Sequence, residues 1–114
     1  MLIEFYACVV LCLLLFISNN YTMSYTIRQY TRDKAKALGV DVRPSKKSDK
    51  KIDVIKDDRV VASVGARGMG DYPTYLATMD KEFAEERRRL YKRRHEKYRT
   101  IRDTPSWYAD QLLW

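Results

Sequence analysis

The sequence predicts an α+β protein: a small domain of a two-stranded β-hairpin with flanking helices and one long basic helix, preceded by an N-terminal hydrophobic helix. Three observations carry that expectation. An uninterrupted apolar run of 13 residues extends from Phe5 to Ile17. Branched apolar residues alternate with polar ones on either side of a short acidic turn between Ile52 and Val64. From about Asp80 to Arg99, apolar residues recur at helical spacing, with acids gathered at the start and bases at the end.

The apolar run comes first. With its flanks it forms a helix rising about 25 Å, against a bilayer core of about 30 Å. No basic residue precedes it and no small-residue cleavage site follows it, so an uncleaved single-pass anchor fits better than a signal peptide. Phe5, Val9, Leu13 and Phe16 are its candidate membrane-anchor residues. Residues 1–23 thus read as an anchor and residues 24–114 as a small basic domain with an aromatic C-terminal segment. Met23, at the change of composition, is an alternative translation start. Cys8 and Cys12 both fall in the apolar run, where Cys acts as a small hydrophobe, so neither a disulfide framework nor a Cys-based zinc site is expected.

The charge sits entirely beyond the leader. The chain carries 22 Lys and Arg against 15 Asp and Glu, net +7, and Met1 to Met23 contribute only Glu4. The positive-inside tendency therefore places the basic body on the cytoplasmic side of a membrane.

Along the body, Ile27, Tyr30, Lys34 and Leu38 suggest a first helix from about Tyr25 to Leu38, capped by Ser24 or Thr26 and stopped by Gly39. The next stretch, "DVRPSKKSDKK", reads as a polar basic linker broken at Pro44. Ile52 to Lys56 and Val60 to Val64 form the hairpin around Lys56-Asp57-Asp58-Arg59. Gly65, Gly68 and Gly70 match no nucleotide-loop fingerprint and read as a turn using positive-φ glycines. A short helix follows from Tyr72 to Thr78, started by Asp71 or Pro73. The long helix runs from about Asp80 to Arg99 or Arg102, with Phe83, Leu90, Tyr91 and Tyr98 as its apolar stripe. Thr104-Pro105 interrupts it, and Trp107, Tyr108, Leu112, Leu113 and Trp114 are expected to fold back onto the core. A domain this small needs every large side chain it has.

No enzyme constellation emerges. The body offers no Ser/His/Asp or Cys/His set, and His95 stands alone among Arg and Lys, so neither catalysis nor a cofactor or metal is expected. The chemistry on offer is charge. "ERRRLYKRRHEKYR", Glu86 to Arg99, holds eight Lys or Arg in fourteen positions. Arg87, Arg88, Arg89, Lys92, Arg93, Arg94, Lys97 and Arg99 are the candidate partner- or phosphate-contacting residues. Acidic proteins, anionic head groups and nucleic acid all fit such a face.

Four phrases carry a resemblance: "VRPSKKSDKKIDV", "VASVGARGMGDYPTYL", "EFAEERRRLYKRRHEK" and "TPSWYADQLLW". Over about Ser24 to Trp114 the chain resembles a family of small basic proteins of large double-stranded DNA viruses, algal viruses among them. The resemblance implies a viral origin. Joined to the anchor and the basic body, it leads to the expectation of a minor capsid or other virion structural protein bridging internal membrane and capsid shell. Its partners would be capsid proteins and, through the N-terminal helix, the membrane. Its location would be between capsid and internal membrane in the virion, and the host membrane during assembly. The alternative expectation is a nucleic-acid-binding protein whose Arg/Lys helix, with Tyr91 and Tyr98 interleaved, contacts the viral genome or transcripts.

Overall fold

The computed structural model describes residues 25–114. The predicted N-terminal hydrophobic helix and its residues Phe5, Val9, Leu13 and Phe16 lie outside them. Helix α1 is Gln29–Leu38. Three strands follow, β1 Asp41–Pro44, β2 Lys50–Lys56 and β3 Arg59–Ala66. Then come α2 Tyr72–Thr78, α3 Lys81–Arg94, the single turn α4 Glu96–Arg99 and α5 Pro105–Leu113. The architecture is mixed α+β around an antiparallel sheet of order β1-β2-β3.

The hairpin forms where the alternation places it. Its two-residue loop has positive φ at both Asp57 (52°) and Asp58 (62°), the handedness that matches the twist of paired strands. Ile52 and Val54 of β2 sit opposite Val64 and Ala62 of β3, and these side chains make the floor of the core. Tyr108, Leu112 and Leu113 of α5 close that core, together with Ala35 of α1 and with Val40, so the C-terminal segment does fold back. Thr31, fully buried on α1, donates its hydroxyl to the Leu112 carbonyl at 2.9 Å and ties the two helices together.

The sheet has three strands rather than two. The segment read as a linker is the edge strand β1, which pairs Val42 with Val54 and Pro44 with Ile52. A Pro at the end of an edge strand costs no interior ladder bond. The first helix starts at Gln29, not Tyr25; its N-cap is Arg28, which makes no side-chain cap, rather than Thr26, and Ser24 lies outside the described residues. The segment before it is extended, and Tyr25 reaches across to Asp71. Gly39 ends α1 in the left-handed conformation, as expected.

The long helix is broken. It stops at Arg94, and His95 joins it to the turn α4. Its stripe also differs. Ala84 is fully buried and Leu90 and Tyr91 are half-buried, while Phe83 and Tyr98 remain exposed. Asp80 caps α3 by accepting the Phe83 N–H at 2.7 Å, and Asp71 caps α2 by accepting the Thr74 N–H at 2.9 Å.

Candidate anion-binding face and cavity

The first charged cluster of note lies inside the fold. Lys51 and Asp71 form an ion pair at 2.7 Å with side chains 5% and 1% exposed. The Tyr25 hydroxyl donates to the same Asp71 oxygen at 2.6 Å, and the Lys51 ammonium lies over the Tyr25 ring. Burial raises the Asp71 carboxyl, but hydrogen bonds from Lys51, Tyr25 and the Thr74 N–H outweigh it and hold Asp71 below its ordinary value. Burial and the neighbouring Asp71 push the Tyr25 phenol well above its ordinary range. Asp53, on the sheet face opposite Ile52 and Val54, is satisfied separately. Ser45 and Ser63 donate to it at 2.6 and 2.7 Å and Arg43 lies at 3.4 Å. These donors overcome the burial that alone would raise it, and Asp53 too is held low.

The eight basic residues singled out in the sequence divide into two sets. Arg88 pairs with Glu85 at 2.8 Å and stacks its guanidinium on the Tyr72 ring at 4.1 Å. Tyr72 in turn donates to Glu85 at 2.6 Å, so Arg88 belongs to the packing between α2 and α3. Arg89 pairs with Glu86 at 2.6 Å in solvent, a contact worth little energetically but locally neutralising. Lys92 binds the buried Asp110 of α5 at 2.9 Å, and Arg99 bonds Glu96 and approaches Asp110 at 3.8 Å. The remaining four, Arg87, Arg93, Arg94 and Lys97, make no ion pair among the described residues, and Lys97 only lies over the exposed Tyr98 ring. Both Glu–Arg pairs on α3, Glu85–Arg88 and Glu86–Arg89, are spaced i,i+3.

Two of the unpaired cations line a cavity of about 270 Å³. Its walls come from three separated stretches: Gly65 to Tyr75, Arg87 to His95, and Ala109 to Trp114, with Lys50 and Lys51 on the strand side. Arg87, Tyr91 and Arg94, with His95, share one face of α3 at spacings of three and four residues. Tyr91 is the centre of a three-ring stack, with Trp114 at 4.3 Å and 6° on one side and His95 at 4.2 Å and 28° on the other. Gly65, with φ +83°, lets the strand end pass close to α5; a Cβ there would fall 2.8 Å from Leu113 Cδ1 and 2.9 Å from Lys51 Cδ. Gly70 leaves the space that the Tyr75 ring occupies. Among the described residues no acidic side chain lines the cavity.

The sequence points to Arg87 and Arg94 but not to the cavity, and shows His95 only as a lone residue among Arg and Lys. The spacing Arg87-Tyr91-Arg94 was the available signal. Gly65 and Gly68 take positive φ as expected, whereas Gly70 does not, and Gly65 lies within β3 rather than in the turn. Among the described residues no helix is long and apolar enough to cross a membrane. No protein-family model, no curated protein and no solved structure matches the chain.

Proposed function

We propose that the chain is a non-enzymatic structural protein of a large double-stranded DNA virus, tethered to the internal membrane by Phe5 to Ile17 and docked through its free cations onto acidic surfaces of capsid proteins. The observation that carries this reading is how the chain enters the fold. Tyr25, eight residues beyond Ile17, is already held by Asp71 and Lys51. A body joined to its anchor by so short a segment stays at the membrane surface, as a bridge between two closely spaced layers requires. The unpaired Arg87, Arg93, Arg94 and Lys97 supply the other contact. The resemblance of the four sequence phrases to a viral family supplies the setting.

Nucleic-acid binding along the whole basic helix is the weaker reading, because Arg88, Arg89, Lys92 and Arg99 are engaged with Glu85, Glu86, Asp110 and Glu96. The test uses particles purified from the source virus. After alkaline carbonate washing the full chain stays with the membrane, a chain beginning at Met23 is released, and lysine-directed cross-linking joins Lys97 to capsid subunits. Absence from the particles, or release of both chains, contradicts the proposal.

A further inference from the structure

We infer that the cavity between α3, α5 and the end of β3 is a binding site for a single nucleotide, either free or as one unit of a single strand. This goes beyond the bridging role and does not depend on it.

Three properties point to that ligand class. The first is charge. Lys50, Arg87 and Arg94 line the cavity, none is ion-paired among the described residues, and no acidic side chain among them lines it. Lys51 is the one lining cation already committed, to Asp71. A cationic concavity with low-dielectric walls concentrates anions, and guanidinium groups suit phosphate oxygens.

The second is the wall. The rings of Tyr75, Tyr91 and Trp114 and the side chain of Leu113 make it largely apolar and aromatic. Inorganic phosphate leaves that wall unused, and an acidic peptide offers carboxylates but no flat ring. A nucleobase has the flat face that stacks on aromatic side chains irrespective of sequence, and because Trp114 and His95 cover both faces of Tyr91, the base would stack on Trp114 or Tyr75. The third is size. At about 270 Å³ the cavity lies just under the usual small-ligand range of about 300–1,000 Å³, so it takes a single nucleotide and not a dinucleotide cofactor.

The site is also built before any ligand arrives. Tyr91 is fixed between Trp114 and His95, and burial, reinforced by Asp110, raises its phenol above the ordinary value, so it stays a neutral ring. The Trp114 carbonyl accepts from the Tyr30 hydroxyl at 3.2 Å, which holds the aromatic residue in place from α1.

The test is fluorescence titration of the full chain in neutral detergent carrying Trp107→Phe. Trp107 does not line the cavity, so Trp114 becomes the sole tryptophan reporter. Calorimetry on the unsubstituted chain gives the affinity independently of that change. The probes are thymidine monophosphate, thymidine, inorganic phosphate, a four-nucleotide thymidine strand and tetraglutamate. The monophosphate is expected to bind saturably, at least about tenfold more tightly than thymidine, phosphate or tetraglutamate. Arg87→Gln and Arg94→Gln each weaken it about tenfold, as loss of a charged hydrogen bond does. Arg93→Gln, on the same helix but outside the cavity, changes it less than about twofold. Tighter binding of the strand assigns the site to single-stranded nucleic acid, and equal binding assigns it to free nucleotide. Absence of saturable binding by both nucleotide probes overturns the inference. So does equal binding of phosphate or tetraglutamate, or an Arg93→Gln effect as large as that of Arg94→Gln.

Discussion

Strand β2 and helix α3 use the same kinds of side chain for opposite ends. On β2, Lys51 and Asp53 are buried and fully partnered, and each is held by groups from other parts of the chain. On α3, Arg87, Arg93 and Arg94 point to solvent or a cavity and are unpaired among the described residues, although they sit beside Arg88 and Lys92, which are engaged. The difference teaches that a count of basic residues measures neither stability nor binding capacity. What decides is whether an acid lies within reach. Asp71 and Asp110 are buried by the fold beside particular cations, and those cations become structural.

The sharpest way to break this comparison is to remove Asp71. Asp71→Ala leaves the Lys51 ammonium buried and unpaired and removes the cap of α2, and the expected loss is about 3–5 kcal/mol. That is a large part of the roughly 5–15 kcal/mol by which domains are stable, and urea unfolding of the full chain in detergent measures it. An effect below about 1 kcal/mol would place this pair with the exposed ones.

The pH dependence sharpens the same point. Asp71 and Asp53 are held low, so their contribution is complete above the ordinary carboxylate value of about 4 and is lost as pH falls through their lowered values. Tyr25 is held high, so its contribution is intact below about pH 10 and is lost as pH rises through its raised value. Thermal melts should show a plateau around neutrality with losses on both sides. A melting temperature unchanged between pH 7 and pH 3 would contradict the acid limb.

Lys92 is the intermediate case. Lys92→Met leaves the buried Asp110 with only the longer contacts to Gln111 and Arg99, at a cost of about 2 kcal/mol. The hairpin loop gives a smaller effect of opposite sign. Asp58→Gly relieves a positive φ and is expected to stabilise by about 0.5–1 kcal/mol, read as a higher urea midpoint. Smallest of all, Arg87→Gln, Arg93→Gln and Arg94→Gln should each alter stability by less than about 0.5 kcal/mol.

Local pattern made much of the fold legible. The alternation around Asp57-Asp58 marked the hairpin, Asp71 before Pro73 marked the start of α2, and the dense aromatic and aliphatic content of the C-terminus marked a segment that a small core recruits. Strand β1 was hidden because it sits at an edge, turns only a few apolar side chains inward and ends in Pro44. The end of α3 was hidden because residues 92–97 are all polar, and polar residues carry no period. The late start of α1 follows from Tyr25 reaching Asp71, a partner 46 positions away. The cavity was illegible for the same reason. Its walls meet only after the sheet, α3 and α5 have packed, and only the helix-face spacing of Arg87, Tyr91 and Arg94 was visible beforehand. Of the eight cations, the engagement of Lys92 and the stacking of Arg88 depend on Asp110 and Tyr72, neither of which a helix wheel shows.

The central claim is that the fold and the proposed function draw on different cations of one helix, and incorporation of the triple variant Arg87→Gln/Arg93→Gln/Arg94→Gln into particles of the proposed source virus tests it most directly. The account predicts a protein that melts as the unsubstituted chain does but is at least about tenfold depleted in purified particles. Incorporation at the normal level, with the melting temperature unchanged, would contradict it.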